Sequence, residues 1–146
     1  MNTDRELLCS EKQAITATPL VSTDSVIVTG LLGADRSRNL RAFAQVETAL
    51  SGGAGTGITV EIIQADNAAL TANVQSLHST GNIPTADAPL GTRLLDQPMP
   101  AFTKPYAGFR YTSAGGAYAA GAITAGFVVG TETPEATRPG DETHGF

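Results

Sequence analysis

The sequence predicts an all-β protein: an antiparallel β-sandwich of jelly-roll type, with a short N-terminal helical segment and an extended C-terminal tail. Three observations carry this. Sixteen Gly, 8 Pro and no Trp, with Thr and Ala abundant, form the composition of short strands joined by tight turns. Only 16% of the residues are charged, fewer than the Glu- and Lys-rich outer faces of surface helices need. Apolar and polar residues alternate with a period of two in several stretches, and no long stretch has a helical period. The 146 residues suffice for one domain, and 41% apolar content can build its core without staples.

Thr3 to Leu8 has capping-box spacing, with Thr3 and Glu6 able to satisfy each other's backbone N–H groups, so a short helix or arm is expected over 1–15. The β-branched run Val26-Ile27-Val28-Thr29 ends on Gly30 and reads as a strand; the polar stretch 31–39 reads as a surface loop. Leu40, Ala42, Ala44 and Val46 then fall on one face, with Arg41, Gln45 and Glu47 on the other. The glycine-rich 51–57 lacks the spacing of a phosphate-binding loop and reads as a flexible hairpin connection to Ile58, Val60 and Ile62. Residues 64–73 read as a loop with one helical turn, and 74–83 as a weaker strand around Leu77. After the punctuation of Pro84, Pro89 and Gly91, a strand is expected over 90–95, closed by Gln97-Pro98-Met99-Pro100. Phe109 and Tyr111 share one face of 106–113. Ile123, Ala125, Phe127 and Val129 share one face of the last strand, 122–130. The body is thus 16–130, followed by a tail over 131–146 with four carboxylates against Arg138 and no apolar periodicity.

Charge and composition also bound function. A net charge of −5 and the lack of a basic stripe argue against nucleic acid as a direct partner. No stretch approaches the roughly 20 apolar residues of a membrane span, and the first residues do not form a cationic leader, so a soluble protein made in the cytoplasm is expected. Cys9 is the single cysteine and His78 and His144 are the two histidines, too few for a structural zinc site and too scattered for a Cys-His nucleophile. Carboxylates such as Asp24, Glu47, Glu61, Asp66, Asp87 and Asp96 show no spacing that selects an acid-base pair, and solvated strand faces account for them. No metal, cofactor or catalytic residue is expected, and a binding or structural role stands ahead of catalysis.

The ordered segments 7–18 (LLCSEKQAITAT), 22–27 (STDSVI), 46–48 (VET), 58–70 (ITVEIIQADNAAL), Tyr111-Thr112 and 122–129 (AITAGFVV) resemble the small capsid cement proteins of tailed bacteriophages, of the type found on a Bordetella phage. That resemblance implies a jelly-roll sandwich that assembles as a homo-dimer or homo-trimer on the outer surface of a capsid, bridges major capsid protein subunits and holds the shell against DNA pressure. It brings no active site. Candidate contact residues are Leu7 and Leu8 in the N-terminal segment, Arg36 and Arg38 in the polar loop, and Phe102, Lys104 and Tyr106 after the Pro-rich turn, since Arg and aromatic side chains favour interfaces. A carbohydrate- or receptor-binding sandwich on the virion is the alternative, with Tyr106 and Tyr118 as its aromatic contacts; 5% aromatic content without Trp weighs against it. A hydrolase using Glu47 and Glu61 at the rim is a third reading.

Overall fold

A computed structural model of the protein describes residues 7–28 and 40–129. Ten strands run through them: β1 (Leu8–Ala14), β2 (Leu20–Val21), β3 (Val26–Ile27), β4 (Leu40–Ser51), β5 (Gly57–Ala65), β6 (Gln75–Ser79), β7 (Ile83–Pro84), β8 (Arg93–Pro98), β9 (Tyr106–Ala114) and β10 (Ala120–Val129). A three-residue 3-10 turn, Thr85–Asp87, follows β7. The protein is all-β, with every strand pairing antiparallel.

The strands form two sheets, ordered β1-β10-β4-β8 and β2-β9-β5-β6, with β3 added to β9 and β7 to β5. The pairs nest: β1 with β10, β2 with β9, β4 with β8, and β5 with β6. Such nesting is that of one long antiparallel ribbon bent over on itself.

Both sheets face one core, because the alternation places the right residues inward. Ala42, Ala44 and Val46 of β4 and Ile123, Ala125 and Phe127 of β10 meet Ile58, Val60 and Ile62 of β5 and Phe109 and Tyr111 of β9. Phe109 and Phe127 join the two sheets, with ring centroids 5.4 Å apart. Fully burying a side chain of this size contributes about 1.5–3 kcal/mol, so this row of inward residues is the main source of stability.

The helical turns expected over Thr3 to Leu8 lie almost wholly outside the described residues, which begin at Leu7. Leu8–Ala14 is an edge strand against β10. Cys9 is therefore a strand residue, wholly buried in the core. Two register shifts, flanking Ser10, and a left-handed Lys12 (φ 46°) interrupt the alternation that would have marked this strand. From Leu8 onward the expected arm is part of the two-sheet body.

Three further elements differ from expectation. β8 begins at Arg93 and runs through Gln97 to Pro98, an edge position where proline's missing N–H costs no ladder bond. β3 is confined to Val26–Ile27, while Thr29 and Gly30, the loop 31–39 and the tail 131–146 lie outside the described residues. The 52–56 connection is no hairpin: β4 and β5 belong to different sheets, and the chain crosses between them there.

Candidate functional site

Strand direction sorts the connections into two groups at opposite ends of the molecule. At one end, which we term the turn end, lie the crossings 15–19, 52–56 and 115–119 and the segment 80–92. There the Ala54 N–H donates to Ala117 O (3.2 Å), the Thr56 N–H to Ala114 O (2.9 Å) and the Ala119 N–H to Ser51 O (3.1 Å). Buried Tyr118 packs its ring on Gly55 and shares a 2.6 Å hydrogen bond with the Thr85 hydroxyl. Gly53, at φ +64°, has a conformation that side chains disfavour, and a Cβ there would strike Ala117 O.

At the other end, the platform end, lie the 66–74 loop and the 99–105 segment. Leu7 joins β1 here, Val28 and Leu40 flank the undescribed 29–39, and Val129 ends β10 opposite Leu40. Side chains organise this end. Gln64 continues the inward phase of Ile58, Val60 and Ile62 and is buried. Its carbonyl oxygen accepts from the backbone N–H groups of Thr103 (2.8 Å) and Lys104 (3.2 Å), and its amide donates to Gln75 Oε1 (2.8 Å) and Thr103 Oγ1 (3.0 Å). A buried amide so fully partnered fixes the 99–105 segment to the sheet.

The 66–74 loop folds back over the outer face of the six-stranded sheet. Asn67 Oδ1 accepts from the Thr71 and Ala72 N–H groups (2.9 and 3.0 Å), an Asx-type closure, and Asp66 accepts from Asn73 Nδ2 at 2.7 Å. This closure inserts Leu70, left-handed at φ 58°, against Ile63, Ala65, Val21, Val74 and Tyr106. Gly108 makes room: a Cβ there would collide with Leu70 Cδ1. Lys104 Nζ reaches Asp66 Oδ1 at 3.0 Å and ties the two loops together. The Asn73 amide and then the Lys104 ammonium hold the Asp66 carboxyl below the usual carboxylate range.

Five of the seven candidate contact residues meet at this end. Leu7 and Phe102 pack against the core, Phe102 edge-on to Phe127 with centroids 6.0 Å apart. Leu8 is half-buried opposite Gly126, Lys104 is bound to Asp66, and Tyr106 leans on the Leu70 cluster. Arg36 and Arg38 lie outside the described residues. Sequence reading missed Gln64, Asn67 and Leu70 and took Asp66 for a solvated carboxylate, whereas it binds Asn73 and Lys104; the inward phase of Gln64 and the Asx chemistry of Asn67 were the signals available.

Other sequence candidates are dispersed. Cys9 sits where the first sheet meets the β2–β3 segment, its carbonyl accepting from the Asp24 N–H, whereas His78 is exposed on β6 at the far edge of the other sheet. Burial, and then the Asp24 charge, push the Cys9 thiol up, so the thiolate is disfavoured. Burial likewise raises the Tyr111 phenol, which donates to Ser10 Oγ at 2.7 Å. Glu47 and Glu61 point from the outer faces of opposite sheets, and Glu61 is paired with Arg110 at 2.7 Å. The Arg110 hydrogen bond lowers the Glu61 carboxyl against an opposing desolvation effect. Among the described residues no cluster of three or more His, Cys, Asp or Glu could hold a metal ion, and no helix is long and apolar enough to cross a membrane.

The chain matches the Bbp16 family over residues 9–127. It belongs to that family. The family's name points to a protein of a Bordetella phage, and the match runs from β1 to β10, covering both sheets and both ends of this Bbp16-family protein. A search of curated proteins finds no match.

The edges of the two sheets are each interrupted. Register shifts break β1 and β6, β8 closes on Pro98, and β2 and β3 are two residues long. Interrupted edges resist the addition of a foreign strand.

Proposed function

We propose that this protein is a capsid cement protein, bound to the outer surface of a tailed-phage shell where it bridges major capsid protein subunits. Membership of the Bbp16 family carries this reading. The nested strand pairing supports it: the order 1-10-4-8 over 2-9-5-6 is that of a jelly roll, an architecture recurrent in virion proteins. In this reading the protein acts by adhesion, catalyses no reaction and needs no cofactor. It binds assembled shell more tightly than free subunits, so each occupied junction shifts the assembly equilibrium, by about 2.7 kcal/mol when free protein is at a hundred times its Kd. It is made in the host cytoplasm and acts as a homo-dimer or homo-trimer, multiplying a modest contact over many copies.

The test is co-sedimentation of purified protein with expanded empty shells, together with the temperature at which virions release DNA. Binding in molar ratio to capsid subunits and a higher release temperature are expected. Absence of both would sink the proposal. Light scattering of the purified chain reads the oligomer.

A further inference from the structure

We infer that Leu90 is the anchor by which this protein docks on the shell, and that it enters an apolar pocket whose mouth carries lysine or arginine. This rests on the cement reading and adds to it a contact point and a partner chemistry. Leu90 is 63% exposed, more than Ile27 at 58%, the other large apolar side chain that faces water among the described residues. Its position is built. The Thr92 N–H donates to Pro89 O (3.0 Å) and Gly91 takes φ +85°, so 89–92 is a type II turn with Leu90 at its first corner.

That turn is fixed to the body on both sides. The Gly91 N–H donates to Val46 O (2.8 Å) and the Val46 N–H to Thr92 O (2.9 Å), which prolongs the β4–β8 pairing beyond Arg93. Upstream, Ala88 is buried in the core, the Thr85 N–H donates to Thr56 O (3.1 Å) and the Thr85 hydroxyl meets Tyr118. A Cβ placed on Gly91 would meet nothing within 4 Å, so the corner stands clear of the body. Docking there freezes little further backbone, and the exposed Ala86 and Pro89 beside it have almost no rotamer freedom to lose.

The charges around Leu90 select the partner. Asp87 precedes it in the same segment, and Glu47 follows Val46, the residue that holds the turn. Neither makes an ion pair among the described residues, whereas Glu61, Asp66 and Asp96 are each paired with a cation. Arg93, just after the turn, is directed to Asp96, Gln45 and the Phe43 ring. Two unmatched carboxylates about an apolar side chain complement a pocket with a cationic mouth and repel nucleic acid or anionic lipid. They also disfavour a second copy of this chain, because a two-fold contact centred on Leu90 would bring the carboxylates of both copies together.

The test reads binding of full-chain variants to expanded empty shells. Leu90→Ala and Leu90→Gln are each expected to lose about tenfold or more in affinity with an unchanged melting temperature, and Leu90→Met to keep most of the parent's affinity. The two are read separately, so a folding failure in one leaves the other decisive. Ile27→Ala, at the platform end, is expected to bind as the parent does. Asp87→Asn combined with Glu47→Gln is expected to lose about threefold at low salt and to flatten the fall of affinity with added salt. Parental binding by L90A and L90Q, or an equal loss in I27A, overturns the inference. A D87N/E47Q variant with the parent's affinity and salt dependence overturns the cationic mouth. A lower molar mass of L90A in light scattering also overturns the inference, by assigning Leu90 to contacts between copies. Failure of the parent chain itself to bind shells would instead count against the cement reading.

Discussion

The two ends of the molecule are held by different means. At the turn end, backbone meets backbone: crossings 52–56 and 115–119 exchange N–H and C=O groups directly, and Tyr118 fills the space beneath them. At the platform end, backbone bonds such as Asp66 N–H to Ala72 O (3.0 Å) and Val28 N–H to Pro105 O (2.8 Å) are joined by side chains of Gln64, Asp66, Asn67 and Leu70. Backbone closure depends on Gly53, whose positive φ and approach to Ala117 O leave no room for a side chain, and on the buried ring of Tyr118 beneath it. Side-chain closure depends on the identity of a few residues, so it is both more specific and easier to lose.

The largest expected effect breaks the turn end. Replacing Tyr118 with Ala removes a buried ring and should lower unfolding stability by about 3–5 kcal/mol in denaturant titration. Leu70→Ala, which opens the smaller cluster at the platform, should cost about 2–3 kcal/mol, at the low end because one side of that cluster adjoins solvent. Gln64→Leu sharpens the contrast. It strands the Thr103 and Lys104 N–H groups at a cost of about 1–3 kcal/mol, and amide exchange should quicken at these two residues while the 52–56 amides keep their protection. Equal loss of protection at both ends would mean that they open as one unit and that the distinction has no energetic content.

The smallest expected effect is on pH dependence. Glu61 and Asp66 have carboxyls lowered in the folded state. Their contribution is fully present above the unfolded carboxylate value and is lost as pH falls through the lowered folded one. The melting temperature should therefore decline in acid, and less steeply for Glu61→Gln than for the parent, with the difference vanishing toward neutral pH once the mutational offset is subtracted. A parallel pair of curves would remove Glu61 from the account.

The inward faces of β4, β5, β9 and β10 were legible because a period of two is a local signal: Ile58, Val60 and Ile62, or Ile123, Ala125 and Phe127, declare a buried face without reference to any partner. So was the all-β class, from glycine, proline and the scarcity of charge. β1 was illegible because its register shifts destroy that period, and Gln64 because an amide at the end of an apolar alternation resembles a solvated terminus until its partners are known. Those partners, Thr103 and Lys104, are about forty residues away in the chain.

Strand order and the crossing at 52–56 depend on the same kind of information. The sequence by itself determined which side of each main strand avoids water, since side-chain hydrophobicity and backbone pleat settle that within a few residues. Only the tertiary structure decided which strands pair, which loops share an end, and which polar groups are buried. Each of those is a choice among distant partners, made by the joint requirement that one core be filled and every buried hydrogen-bonding group be met.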